Sequence, residues 1–171
     1  MDEQACWVAL SLVNQPFDLR ALLRRYGRVG TLFENVDARE EIGRPLAGDP
    51  RTALEAAAGI LRICGELGVQ VWSYDSPCYP ARLRSIARPP PVLYAVGRRE
   101  PLDRPAVALV GSRRCSAYGT WAARTLGRAL SATGVCVVSG MAFGVDAEAH
   151  GGALPGPGGA SAVRGAGPGL A

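Results

Sequence analysis

Two short glycine-containing segments carry residue types that suit the binding of an anion. Residues 111–114 read G-S-R-R and follow an apolar run at 106–110. The glycine allows close approach to the backbone, the serine offers a hydroxyl, and the arginines offer planar guanidinium groups. Residues 139–146 read S-G-M-A-F-G-V-D and follow a second apolar run at 135–138. Small residues there would let a phosphate reach backbone amides.

Each segment stands between a predicted strand and a predicted helix. The apolar runs at 106–110 and 135–138 are typical of strands buried on both faces in a parallel sheet. Apolar spacing predicts helices over 116–132 and 145–153. Because the carboxyl ends of parallel strands share one edge, and helix N-termini attract anions, the two segments predict one anion site. The glycine spacing fits neither a dinucleotide fingerprint nor a P-loop.

Several of these residues also have structural interpretations that the sequence leaves open. Arg113 could be a solvated loop residue, and Asp146 could cap its helix or complement the helix dipole. Asp146 and His150 are four apart, which suits a helix-surface contact better than a metal site, since no third ligand is evident. Tyr118 and Trp121 favour packing onto the sheet over base stacking. The inward face of their helix is predicted to comprise Ala122, Leu126, Ala129 and Leu130.

The distribution of charge favours a polyanionic partner. The chain of 171 residues has a net charge of +4, and all 19 of its basic residues are arginine. Residues 80–128 hold ten arginines against two acidic residues, whereas residues 1–79 hold eight against 11. A GC-rich genome would also produce arginine without lysine, so only the positions of the arginines support a nucleic-acid partner.

Composition excludes several other classes of protein. With 48% hydrophobic and 20% charged residues, the chain can bury a core. The sequence has neither an apolar run long enough to span a membrane nor a basic, apolar N-terminal signal. Five scattered cysteines without a C-x-x-C pair fit a reducing cytoplasm better than a zinc site or a disulfide framework. No catalytic residue, cofactor or metal is predicted.

The chain divides into three predicted parts. Residues 1–68 are predicted to be a small helical domain, and residues 69–154 a partial parallel α/β domain with further strands at 69–72 and 92–96. Residues 155–171 are predicted to be an irregular tail. The G-x-x-G at 27–30 is compatible with a helix-hairpin-helix or with an ordinary helical hairpin. Helices of the first part are predicted at 2–13, from Pro16 to Tyr26, from Thr31 to Val36, and from Asp49 to Gly68.

Six motifs, in order and at matching spacing, resemble the DprA/Smf family of DNA-processing proteins. They read Y-P-A-R-L from Tyr79, P-P-P-V-L-Y-A-V-G from Pro89, A-L-V-G-S-R from Ala108, S-A-Y-G from Ser116, V-V-S-G-M-A-F-G-V-D from Val137 and A-H-G-G-A-L from Ala149. The resemblance covers about residues 70–154. The helical N-terminus is similar to the sterile-alpha-motif or helix-hairpin-helix-like domain that precedes this region in many members.

The resemblance implies an extended Rossmann-like domain that binds single-stranded DNA without cutting it. Members protect incoming DNA during natural transformation, load the recombinase RecA onto it and commonly form dimers. The two family loops map onto the two segments described above. Together with Arg114, they give nine candidate DNA- or phosphate-binding residues: Gly111, Ser112, Arg113, Arg114, Ser139, Gly140, Ala142, Gly144 and Asp146.

After Leu154 the sequence departs from the family pattern. The last 21 residues contain eight glycines and three prolines, which predicts a broken strand, a disordered tail and a second domain reduced to its first half. An inactive fragment is therefore one alternative. Another is a Rossmann-like nucleotide phosphoribohydrolase, whose P-G-G-x-G-T-x-x-E motif is matched only at Pro157-Gly158-Gly159.

Overall fold

The computed structural model describes residues 2–13, 16–43 and 49–165. The chain forms two compact units, Met1–Val96 (unit 1) and Gly97–Ala171 (unit 2). The boundary lies later than the predicted one after residue 68, because the first two strands belong to the helical unit. Among the described residues, no helix is long and apolar enough to cross a membrane.

Five helices make up most of unit 1. The predicted second helix begins at Leu19 rather than Pro16, because the Asp18 carboxylate caps it by accepting from the Ala21 amide at 3.0 Å. The fourth helix was not predicted: Asn35 both ends the third helix and caps the fourth. The helices α1 to α5 span Glu3–Ser11, Leu19–Tyr26, Val29–Glu34, Val36–Ile42 and Pro50–Glu66.

All five helices contribute side chains to one core. The first helix supplies six consecutive buried residues, 5–10, so it is surrounded on nearly every side. Leu22, Leu32 and Ile42 are also fully buried. This apolar burial is the main stabilising contribution in unit 1, at roughly 25 cal/mol for each Å² removed from water.

A two-stranded antiparallel sheet completes unit 1. Strands β1 (Gln70–Ser73) and β2 (Val92–Ala95) occur where the sequence predicts strands, but they pair with each other and not with the parallel sheet. Val92 is buried in the helical core, which explains why this pair belongs to unit 1. The connection contains the short helix α6 (Ala81–Arg84).

Unit 2 contains the predicted parallel sheet. Strands β3 (Ala106–Ala108), β4 (Cys136–Ser139) and β5 (Ala160–Ala162) lie in that order, all parallel. Helices α7 (Ala117–Ala132) and α8 (Val145–Ala153) form the crossovers. The prediction of an α/β fold with a parallel sheet is therefore confirmed. The predicted burial of β3 on both faces is wrong, because β3 is an edge strand of this sheet and is exposed along its length.

Helices α7 and α8 pack through small residues. A Cβ added to Gly127 would lie 2.4 Å from the Ala149 carbonyl oxygen, and one added to Gly152 would lie 2.2 Å from the Arg124 carbonyl oxygen. The buried face of α7 consists of Ala123, Gly127 and Ser131. The predicted inward face is therefore rotated: Leu126 is exposed, because small residues bring the two backbones into contact.

The predicted irregular tail contains strand β5. Residues 155–159, which precede β5, form a glycine-rich turn that packs directly against Ser131. The Ser131 hydroxyl donates to the Ala153 carbonyl at 2.6 Å and accepts from the Gly159 amide at 3.0 Å. Larger residues would collide with α7 here, so the glycines permit close packing rather than disorder. Residues 166–171 of the predicted tail lie outside the described residues.

Candidate functional site

The first loop, residues 109–116, holds two arginines in an exposed turn. The Ser112 hydroxyl accepts from the Arg114 amide and donates to the Arg114 carbonyl, both at 3.1 Å. These two bonds fold the loop tightly around Arg113. Both arginine side chains are exposed, so their guanidinium groups are accessible to a ligand from solvent.

Helix α7 begins directly after this loop. Its N-cap is Ser116, whose hydroxyl accepts from the Gly119 amide at 3.2 Å. The helix has 16 residues, so its dipole is well developed, and the remaining amides of its first turn have no partner within the helix. The positive end of α7 therefore lies next to Arg113 and Arg114.

The second loop, residues 140–144, is tied down by two buried polar side chains. The Ser139 hydroxyl donates to the Leu109 carbonyl at 2.6 Å, which joins the end of the central strand β4 to the end of the edge strand β3. The Asp146 carboxylate is buried and accepts from the amides of Gly140 and Ala142 at 3.1 and 3.5 Å. Asp146 thus holds the loop and does not cap α8, whose N-cap is Gly144; it does lie in the first turn of α8, as the dipole interpretation requires.

The two loops are in direct contact. The Val145 amide donates to the Ser112 carbonyl at 3.2 Å. Gly144 has a φ of +79°, and a Cβ added there would lie 2.3 Å from the Ser112 oxygen. A Cβ added to Gly111 would lie 2.8 Å from the Val145 side chain. The first amide of α8 is therefore already bonded to the first loop, whereas the N-terminus of α7 remains open.

The nine candidate residues lie at the same edge of the sheet but divide into two groups. Arg113 and Arg114 present positive charge to solvent. Asp146 and Ser139 are buried and bonded within the protein. Gly111 and Gly144 permit the contact between the loops, and Gly140 lies against the Asp146 carboxylate. The sequence thus predicts which residues come together, but it does not separate ligand-facing residues from those that build the loops.

The sequence analysis did not predict that the second loop exposes two large apolar side chains, Met141 and Phe143. Met141 adopts a left-handed backbone conformation, with a φ of 59°, which is uncommon for a residue other than glycine. Phe143 is also highly exposed. Tyr118 and Trp121 are exposed rather than packed on the sheet, so the favoured interpretation of this pair is wrong. The glycine at position 127 of α7 was the available signal, because it marks the face that packs on α8.

The buried cysteines of the described chain are poor candidates for a second reactive site. Burial raises the pKa of the Cys6 thiol to about 11 and raises the pKa of Cys64 and Cys136 as well. Such thiols are poor nucleophiles at neutral pH. In the described part of the chain, no group of three or more His, Cys, Asp or Glu side chains could hold a metal ion. A cavity of about 370 Å³ in unit 1, lined in part by Trp7 and Tyr74, includes none of the nine candidates.

The parallel sheet, with two loops paired at its carboxyl edge, places unit 2 in the α/β class of proteins. The family model for DNA recombination-mediator protein A matches residues 70–170. The chain therefore belongs to this family, also known as DprA or Smf, as its six motifs predict.

Individual relatives agree with this assignment. Protein Smf of Synechocystis is 33% identical over 96% of this chain and 44% of its own length. A putative DNA processing protein DprA of Mycobacterium tuberculosis is 34% identical over 86% of this chain and 42% of its own length. The crystal structure of DNA processing protein A from Streptococcus pneumoniae superposes with a TM-score of 0.66 at 27% identity, covering 93% of this chain and 56% of that chain. The chain spans less than half the length of the curated relatives it matches.

Proposed function

We propose that unit 2 binds the phosphate backbone of single-stranded DNA at its first loop. The observation that carries the proposal is the turn that presents Arg113 and Arg114 beside the open N-terminus of α7. Guanidinium groups and helix-terminal amides both bind phosphate oxygens, and neither reads the identity of a base. Binding is therefore expected to depend on salt and little on sequence.

The charges of the two units support this choice. Unit 1 contains 11 arginines and 11 acidic residues, whereas unit 2 contains eight arginines and four acidic residues. Within unit 2, Asp103 pairs with Arg99 at 3.0 Å and Glu148 pairs with Arg124 at 2.9 Å. Asp146 is enclosed by the second loop. Among the described residues, neither arginine of the first loop forms a salt bridge with a carboxylate.

The remaining candidates act as positioning residues in this proposal. Gly144 and Asp146 fix the second loop, and the second loop in turn supports Ser112 and the arginine turn. The Asp146 carboxylate is engaged by two amides, and the Ser112 hydroxyl by its own turn, so neither is poised as a base or nucleophile. We infer that the site binds DNA without cleaving it.

Family membership extends the proposal to a role in DNA processing. We propose that the chain contributes to the protection of incoming DNA in the cytoplasm and to its transfer to the recombinase RecA, with a second copy of the chain as a further partner. The chain covers 44% of the length of protein Smf of Synechocystis, so these roles are proposed for it as part of a longer protein. Binding of single-stranded DNA is the step that the residues described here support directly.

The test is an equilibrium titration of the 171-residue chain with a labelled oligodeoxythymidine at several salt concentrations. Arg113→Ala is expected to weaken binding about tenfold. It should also reduce the slope of log affinity against log salt concentration by the amount that about one phosphate contact contributes. Arg51→Ala is the matched control, because Arg51 is also exposed but lies in the electrically balanced unit 1. Equal losses for both variants, or binding that ignores salt, would refute the proposed site.

A further inference from the structure

Two aromatic side chains on α7 are exposed without a structural reason within unit 2. Tyr118 and Trp121 are 74% and 61% exposed, and their ring centroids lie 5.8 Å apart with an interplanar angle of 37°. The side of α7 that packs on α8 is formed by small residues instead. The two rings therefore contribute little to the core of this unit.

The position of the pair links it to the arginine turn. Tyr118 lies in the first turn of α7, two residues after the N-cap Ser116, and Trp121 lies one turn further along the helix. Arg113 and Arg114 directly precede this helix. A strand whose phosphates contact the arginines would therefore have unpaired bases within the same neighbourhood as the two rings.

We propose that Tyr118 and Trp121 form a stacking platform for the bases of the single-stranded DNA whose phosphates are held by Arg113 and Arg114. This inference rests on the proposed function and adds a contact with the bases to it. Aromatic rings stack on any base, because every base has a π-face, so the platform adds affinity without sequence preference. It also favours single strands, because the bases of a duplex are already stacked on one another.

The experiment compares two oligonucleotides of equal length at one salt concentration: oligodeoxythymidine and an abasic backbone with the same phosphates. Trp121→Ala and Tyr118→Ala are each expected to weaken binding of oligodeoxythymidine about tenfold and to leave abasic binding unchanged. Arg113→Ala is expected to weaken binding of both. Leu126→Ala, which removes another exposed apolar side chain from α7, is the matched control and should change neither.

Intrinsic fluorescence provides an independent measurement. Trp7 and Trp72 are buried in unit 1, whereas Trp121 is exposed in unit 2. Stacking of a base on Trp121 should quench the emission that Trp121 contributes. Oligodeoxythymidine should therefore quench the wild-type protein, and this quenching should be absent in Trp121→Ala and with the abasic backbone.

Three results would overturn the platform, and they differ from one another. If Arg113→Ala weakens binding while the aromatic variants bind both oligonucleotides as tightly as the wild type, the phosphate site stands and the platform fails. If the aromatic variants change the oligomeric state in sedimentation but not DNA affinity, the rings contact a second copy instead. If the wild-type chain binds neither oligonucleotide, the proposed function fails together with the platform.

Discussion

Glycine serves different purposes in the two units. In unit 1 a Cβ added to Gly30, Gly59 or Gly65 would meet nothing within 4 Å. In unit 2 a Cβ added to Gly127 or Gly152 would collide with a backbone carbonyl of the neighbouring helix. Unit 1 is stabilised by large buried side chains, whereas unit 2 is held by backbones in close contact. A unit packed in this second way needs few large side chains inside, and it can expose aromatic rings and arginines at its surface.

The largest expected effect of a substitution lies in the core of unit 1. Leu10→Ala leaves a cavity inside the helical core, where Leu10 is completely buried. It should lower the free energy of unfolding by about 3 kcal/mol. Urea unfolding followed by the fluorescence of the buried Trp7 and Trp72 measures this loss. Leu67→Ala, at an exposed position after α5, should change it by less than about 0.5 kcal/mol; similar losses for both would contradict the described core.

A pair of glycine substitutions tests the comparison itself. Gly127→Ala must push α7 away from the Ala149 carbonyl and should cost about 2 kcal/mol. Gly59→Ala places the same methyl group in open space on α5 and should stabilise the chain by about 0.5–1 kcal/mol. Denaturant midpoints should show that Gly127→Ala destabilises the chain and that Gly59→Ala stabilises it. Faster hydrogen exchange in α7 and α8 should show that the effect of Gly127→Ala arises at the contact between these helices. If Gly127→Ala leaves the free energy of unfolding unchanged, the two helices are not in close contact.

The smallest expected effect is a pH dependence that originates in α8. Burial lowers the pKa of His150, and the nearby Asp146 carboxylate opposes this shift. Near neutral pH both the folded and the unfolded states hold the imidazole neutral. As the pH falls below the ordinary pKa of about 6.5, the unfolded chain takes up a proton that the folded chain resists, so stability decreases.

His150→Gln isolates that contribution. Unfolding free energies of the wild type and the variant are compared between about pH 7.5 and about pH 5.5. The wild type should lose more stability over this interval than the variant. An equal slope for both proteins would mean that His150 titrates alike in the folded and unfolded states.

Local sequence signals predicted most elements of the fold. Asp49 followed by Pro50 marks the start of α5, and the apolar run at 135–138 marks β4, since both patterns act within a few residues. The separation of α3 from α4 was not predicted, because the single residue Asn35 both ends α3 and caps the N-terminus of α4. Strand pairing was also missed for β1 and β2, because it depends on contacts between distant parts of the chain.

The sequence predicted that the two loops lie at one edge of the sheet, but not how their residues are arranged there. The motifs follow two predicted parallel strands, whose carboxyl ends share one edge of the sheet, so Gly111 and Gly144 were expected at that edge. The role of Asp146 could not be read from the sequence, because a carboxylate at the start of a helix has several possible partners. The exposed face of α7 was misassigned because glycine, which has no apolar side chain, marks its contact with α8.

The contact between Ser112 and Val145 has a consequence for how these loops can vary. One hydrogen bond and one glycine join two segments that lie more than thirty residues apart in the chain. An insertion in either loop would move the Ser112 carbonyl away from the Val145 amide. A change of length in one loop would therefore require a compensating change in the other. We therefore expect the two loops to be exchangeable between homologues only together: exchange of one loop alone should break the Ser112–Val145 bond and destabilise unit 2.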